Sequence, residues 1–310
     1  MLRASTALNS IKNPPEHLAG VFWALLATLL FSIVAAMAKM AALEYHVLQI
    51  LFIRQVVVTL SSLPSIARSF PHSLKTQYPL LHGLRLVGSF VALACGIWAV
   101  TELPLTTAIT LGFSKVFFIT VLSILFLGEV VGMHRISAVV LGFLGVVIAM
   151  KPGTEGLFEL STLIPLLGAA GAAVAVTTAR RLSQTESTAT MLLFQALFVG
   201  GLAAVPMFWF WKTPDLEGLL FLLVLSILAT VGQWSGIQAL REGEASILGS
   251  IEYTKLIYVA LLGFILFAEI PDLYTILGAA LIVGSAAYML HREAIKKRGA
   301  QQSLMDTGSQ

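Results

Sequence analysis

Two apolar stretches, Leu105–Glu129 and Ala245–Glu269, each carry a lysine near the middle, Lys115 in the first and Lys255 in the second. Each is long enough to cross a bilayer, which takes about 20 residues as a helix. A lysine at the bilayer centre costs roughly 3 kcal/mol even on a lenient insertion scale, so two of them demand a role. They lie 140 residues apart, and the same interval relates Gly96 to Gly236, Ile97 to Ile237, Ala99 to Ala239, Glu102 to Glu242, Leu122 to Leu262 and Glu129 to Glu269. From Gly96 to Glu129 the match needs no gap. The chain reads as a duplicated membrane protein whose halves each bring one cation to a shared central site.

The rest of the 310 residues agrees. Mean hydropathy is +0.90 and only 11% of residues are charged, against about 25% in soluble domains. Apolar runs place ten spans at about 18–41, 47–66, 80–100, 104–126, 132–150, 160–180, 189–211, 217–240, 245–267 and 272–290. The runs are continuous and lack the alternation of a barrel strand, so they are helices. The polar start has no apolar core or cleavage site, so no removable signal is expected. Cys95 is the single cysteine, which excludes a disulfide framework.

Positive charge then fixes orientation. Arg3, Lys12, Arg68, Lys75, Arg85, Arg135, Arg180, Arg181, Arg241, Arg292, Lys296, Lys297 and Arg298 fall on one side, and only Lys151 and Lys212 on the other. Both termini are therefore expected in the cytoplasm, in a bacterial-type inner membrane. Five spans per half is an odd number, so the second half enters from the opposite face. The expected fold is an all-α polytopic membrane protein with ten transmembrane helices as two inverted five-helix repeats. Its parts are a cytoplasmic tail (1–17), a first repeat (18–150), an external linker (151–159), a second repeat (160–290) and a cytoplasmic tail (291–310), frayed from Glu293 on.

The stretches Leu25–Gln55 and Leu103–Gly153, with the matching end of the second half, resemble the ten-helix EamA-type branch of the drug/metabolite transporter superfamily. Within it the chain is similar to the group that includes riboflavin and S-adenosylmethionine uptake carriers. The glutamate-containing junctions at Glu129 and Glu269 carry much of the likeness. The resemblance implies a substrate carrier with a central cavity. The midpoint lysines are less generic, and mark this chain's substrate class.

Helical spacing places Gly112, Lys115, Phe118, Ile119 and Leu122 on one face, and Glu252, Lys255, Tyr258, Val259 and Leu262 on its counterpart. Glu252 is the only carboxylate well inside a span. At i−3 from Lys255 it is expected to pair with that lysine, which leaves Lys115, beside Gly112, as the freer cation. One carboxylate for two lysines leaves an excess positive charge that an anionic substrate group would neutralise. A proton-coupling role for the pair is the alternative. Trp98, Gln233, Trp234 and Gln238 are candidate cavity residues, with packing as their other reading. Arg54 reads as a snorkel or a structural ion pair, Lys39 and Arg85 as snorkels at span ends. The small residues at 168–173 read as a close helix contact.

Enzyme chemistry is excluded by what the spans lack. All six histidines lie in loops or at span ends, the aspartates lie outside spans, and no HExxH or GxSxG motif occurs. Nothing calls for a cofactor or a metal, and there is no nucleotide-binding or nucleic-acid signature. A channel is disfavoured by the inverted repeat, which suits alternating access. The expected function is gradient-driven transport of a small organic metabolite bearing a carboxylate or other anionic group. The alternative is uptake of a larger metabolite such as riboflavin or S-adenosylmethionine. Expected partners are the substrate, the lipid bilayer and a coupling proton or ion, for a monomer or homodimer.

Overall fold

The computed structural model describes residues 16–69, 78–127, 133–150, 160–182, 188–242 and 251–307. The Glu129 junction, the 151–159 linker and the tail before residue 16 lie outside them. Twelve helical segments are described: α1 (Glu16–Ala41), α2 (Val47–Ser69), α3 (Pro79–Glu102), α4 (Leu105–Gly112), α5 (Lys115–Leu127), α6 (Met133–Ala149), α7 (Leu160–Leu182), α8 (Thr188–Ala204), α9 (Met207–Phe210), α10 (Leu216–Glu242), α11 (Thr254–Phe267) and α12 (Leu273–Thr307). There is no strand among the described residues. Five stretches of at least 18 residues are apolar enough to cross a membrane, and five shorter apolar helices bring the spans to ten. The protein is a ten-helix membrane protein of two five-helix repeats.

Most helices of the first half pack chiefly on one of the second. The pairs are α1 on α10, α2 on α8, α3 on α7 and α6 on α12; α4 packs about equally on α7 and α11, and α5 packs on α7. Exchanging the halves turns the first pair into the third and leaves the others unchanged, as a pseudo-two-fold axis requires. Small residues allow the closest approaches, since apolar helices in lipid associate through packing. A Cβ on Gly88 would stand 2.7 Å from the Gly171 carbonyl oxygen, and one on Gly278 2.7 Å from that of Gly145. Gly171 and Gly168, which meets Cys95, belong to the run of small residues expected to sit in such a contact.

The structure departs from the sequence reading in three respects. Span 7 was expected to run unbroken to 211, but α8 ends at Ala204 and the turn at Val205–Pro206 starts the separate α9; proline cannot supply the N–H that would continue the ladder. The tail expected to fray from Glu293 instead extends α12 to Thr307. Its Glu, Ala, Lys, Gln, Leu and Met residues are good helix formers with no proline among them.

The third departure matters most. Span 4 breaks at Phe113–Ser114, and span 9 breaks at Tyr253, the residue 140 positions after Phe113. At both breaks the chain tightens to i→i−3 bonds, from Val116 N to Phe113 O (3.2 Å) and from Leu256 N to Tyr253 O (3.0 Å). The Thr254 hydroxyl also donates to Ile251 O at 2.7 Å, a local side-chain bond that competes with the helix ladder. The two broken points touch each other, with the Phe113 and Tyr253 rings 5.4 Å apart.

An ion pair ties the halves together near one end of these spans. Lys39 Nζ donates to Glu269 Oε1 (2.5 Å) and to Leu103 O (2.8 Å). Glu269 Oε2 accepts the Leu105 N–H at 2.7 Å. Pro104 precedes α4 and offers it no side-chain cap, so the carboxylate of the other repeat satisfies that orphan donor. Ala268, held in the left-handed region at φ 53°, turns the chain so that Glu269 faces back. Lys39 is thus a paired residue and not a snorkel. Arg85 is corrected in the same way: it is buried, donating to Met191 O and to Gln195 Oε1 at 3.0 Å each.

Candidate functional site

Where the halves meet, a cavity of about 180 Å³ opens between α3, α4, α7 and the broken start of span 9. Its walls are mostly small, with Gly96 and Ala99 on α3, Gly112 on α4, and Gly168 and Ala172 on α7. Three charged side chains face in from the two breaks: Lys115, Glu252 and Lys255. Both interrupted helices resume here, α5 at Lys115 and α11 at Thr254, so two helix N-termini with their partial positive charge border the same space.

The pairing differs from the sequence expectation. Lys115 Nζ bonds Glu252 Oε1 at 2.5 Å, across the repeat interface. Lys255 Nζ has no hydrogen bond or ion pair with any described residue and stands 5.9 Å from the centroid of the Phe31 ring. The i−3 argument assumed one continuous helix through Glu252 and Lys255; the break at Tyr253 separates them and turns the carboxylate to the other half. The freer cation is therefore Lys255, not Lys115.

A third cation inside a span, Arg54 on α2, is partly buried and is not among the cavity-lining residues. Its Nε is buried without a hydrogen-bond partner, and the guanidinium makes no ion pair among the described residues. Sequence reasoning set Arg54 aside as a snorkel or structural pair. The available signal was its depth, about two turns into span 2.

The aromatic and amide candidates lie elsewhere. Phe118 packs edge-on against Phe143 of α6 at 5.4 Å. Trp98 is 48% exposed on the outer surface and donates to Glu102 Oε1. Trp234 is 50% exposed and meets Trp23 edge-on at 5.1 Å. Tyr258 and Gln233 are partly buried and are not among the cavity-lining residues. The ring that does line the cavity is Phe113, at the break itself, with Lys115 Nζ 6.0 Å from its centroid.

The geometry has relatives. The chain is 30% identical over 299 residues to a riboflavin transporter of Vibrio cholerae, covering 93% of this chain and 98% of that protein. It is 27% identical over 277 residues to an S-adenosylmethionine uptake transporter of Rickettsia felis, covering 89% and 94%. A pseudopaline exporter of Pseudomonas aeruginosa is 28% identical over 266 residues, with 85% and 93% covered. A crystal structure of a protein 18% identical in sequence superposes with a TM-score of 0.59 over 88% of this chain and 96% of the other, which shows a shared fold. Residues 18–151 and 160–290 each match the EamA-like transporter family, and the chain, with its paired repeats, belongs to that family.

Proposed function

We propose that the protein is a gradient-driven carrier that moves a small organic metabolite with an anionic group through the midplane cavity by alternating access. One observation carries this reading: Lys255 stands at the cavity wall with no hydrogen bond or ion pair to a described residue, beside a Lys115–Glu252 pair that already neutralises itself. A buried charge without a partner is costly, and a substrate carboxylate would supply one. The two helix N-termini bordering the space favour the same sign of ligand. Cavity size favours a small metabolite over riboflavin, because sites for drug-sized ligands start near about 300 Å³ and this one is about 180 Å³. The family members named above include both uptake transporters and an exporter, so direction follows from the gradients and is measured in vesicles.

The test is ligand-induced stabilisation of the purified protein by small organic acids and amino acids. Lys255→Met will weaken binding of an anionic ligand about ten- to a hundred-fold, the value of one charged hydrogen bond. It will leave the melting temperature of the ligand-free protein unchanged or raised, because no carboxylate is orphaned. Unchanged affinity in this variant removes Lys255 from the site and ends the anionic reading.

Orientation is part of the proposal, with both termini in the cytoplasm. In a Cys95→Ser background, an impermeant maleimide added outside cells will label Thr213→Cys, in the loop before α10, and will not label Ile295→Cys on the extension of α12. The reverse pattern would invert the topology.

A further inference from the structure

We propose that a cleft between the two halves, at the cytoplasmic end, holds an anionic phospholipid, with its phosphate on Arg181 and an acyl chain along Leu80, Leu81 and Leu84. The inference goes beyond the carrier reading and shares only the orientation with it.

A cavity of about 350 Å³ lies apart from the central one, where the start of α3 meets the end of α7. These two helices come from different halves, and glycines bring their backbones together at Gly88 and Gly171. One turn before Gly88 on α3, at Leu84, and ten residues beyond Gly171 on α7, at Arg181, long side chains line the cleft instead.

One wall of the cleft is apolar. Leu80 and Leu84 are four residues apart, so they share a face of α3. They are 80% and 50% exposed, and Val87 on the same face is exposed too, whereas His82, Arg85 and Leu86 on the opposite face are buried. The leucine face is therefore the outer side of the helix, and a lipid chain can lie on it. The other wall carries charge. Arg181 is exposed, with no hydrogen bond or ion pair to a described residue, and no acidic side chain is among the described lining residues. Helix α3 begins at Pro79 without a side-chain cap, so the positive end of its dipole adds to the same sign.

Only an amphiphile uses both walls. A free phosphate gains nothing from the leucines, and a neutral apolar solute gains nothing from the guanidinium. The planar fork of an arginine pairs with two phosphate oxygens at once. A zwitterionic headgroup brings its own cation to compete for that phosphate, whereas an anionic headgroup does not. The Lys/Arg distribution puts this end in the cytoplasmic leaflet, where basic pockets between spanning helices take anionic headgroups.

The experiment uses delipidated full-length protein in detergent, with dioleoylphosphatidylglycerol, dioleoylphosphatidylcholine and inorganic phosphate as probes. Native mass spectrometry counts bound lipid, and thermal shift reads the stabilisation. The anionic lipid is expected to bind as a single adduct about fivefold more tightly than the zwitterionic one, the value of one interfacial arginine. Inorganic phosphate should give no shift. Arg181→Gln should bring the anionic lipid down to the zwitterionic level, and Arg181→Lys should keep part of the preference. Arg292→Gln removes an exposed cation from α12, outside the cleft, and should leave the preference intact. Leu84→Trp should weaken both lipids by filling the cleft. Equal losses in Arg181→Gln and Arg292→Gln would mean general charge attraction and overturn the site. Phosphate binding as tightly as the anionic lipid would make it an anion site with no lipid. Inverted maleimide labelling would remove the cleft from the cytoplasmic leaflet. None of the lipid outcomes touches the Lys255→Met test, so the carrier reading stands or falls separately.

Discussion

Glu269→Ala is expected to lower the free energy of unfolding by about 3–5 kcal/mol, the scale for breaking a buried ion pair from one side. The side chains of Lys39 and Glu269 are only 16% and 20% exposed, so little water is available to replace the lost partner. The variant also strips the Leu105 N–H of its acceptor, reopening the N-terminus of α4. Lys39 keeps its bond to Leu103 O, which limits the damage without neutralising the charge. Removing the cation as well, in Lys39→Met with Glu269→Ala, should recover part of the loss. Denaturant titration in micelles of the two single variants and the double variant measures the coupling. Strict additivity would mean that the pair contributes nothing beyond its separate contacts.

Lys115→Met is the second large effect, and it acts on binding more than on stability. The variant orphans Glu252. Because the two side chains are 29% and 43% exposed towards the cavity, water cushions the loss, and about 1–3 kcal/mol is expected instead of the fully buried figure. The freed carboxylate then has Lys255 as its nearest unpartnered cation, and their association would consume the charge meant for substrate. Anion affinity should fall at least tenfold although Lys115 itself is not the main ligand. Adding Glu252→Gln should restore much of the affinity by releasing Lys255. Melting curves and isotherms for both variants decide it: a double variant that binds no better than Lys115→Met would show that Lys115 contacts the substrate directly.

The ten spans and the duplication were legible because hydropathy and a fixed 140-residue interval survive in the chain itself. Long apolar runs have few alternatives in a bilayer, so the architecture followed from them. What the sequence hid were features made between elements. Gly112 beside Phe113–Ser114 is the one local mark of a break, and Tyr253 has no adjacent proline or glycine, yet both positions break and then meet. Reading through the break placed Glu252 with the wrong lysine. Lys39 and Arg85 were misread for a related reason, since their partners lie 230 and 110 residues away and no local pattern points to them. The aromatic candidates failed on orientation: Trp98 and Trp234 belong to the outer surface, where amphipathic rings are also at home.

The unequal halves have a consequence for how such a site can arise. Two identical five-helix subunits related by a two-fold axis can place groups around that axis only in matched pairs. A homodimer of the first half would meet itself with two lysines and two glycines, and one of the second half with two lysines and two glutamates. Here the cavity lining holds Lys115 and Lys255 against one carboxylate among the described residues, Glu252, so the two halves contribute unequally. Fusion into one polypeptide lets the parity be broken, and a substrate without two-fold symmetry of its own is met by a wall that has none either.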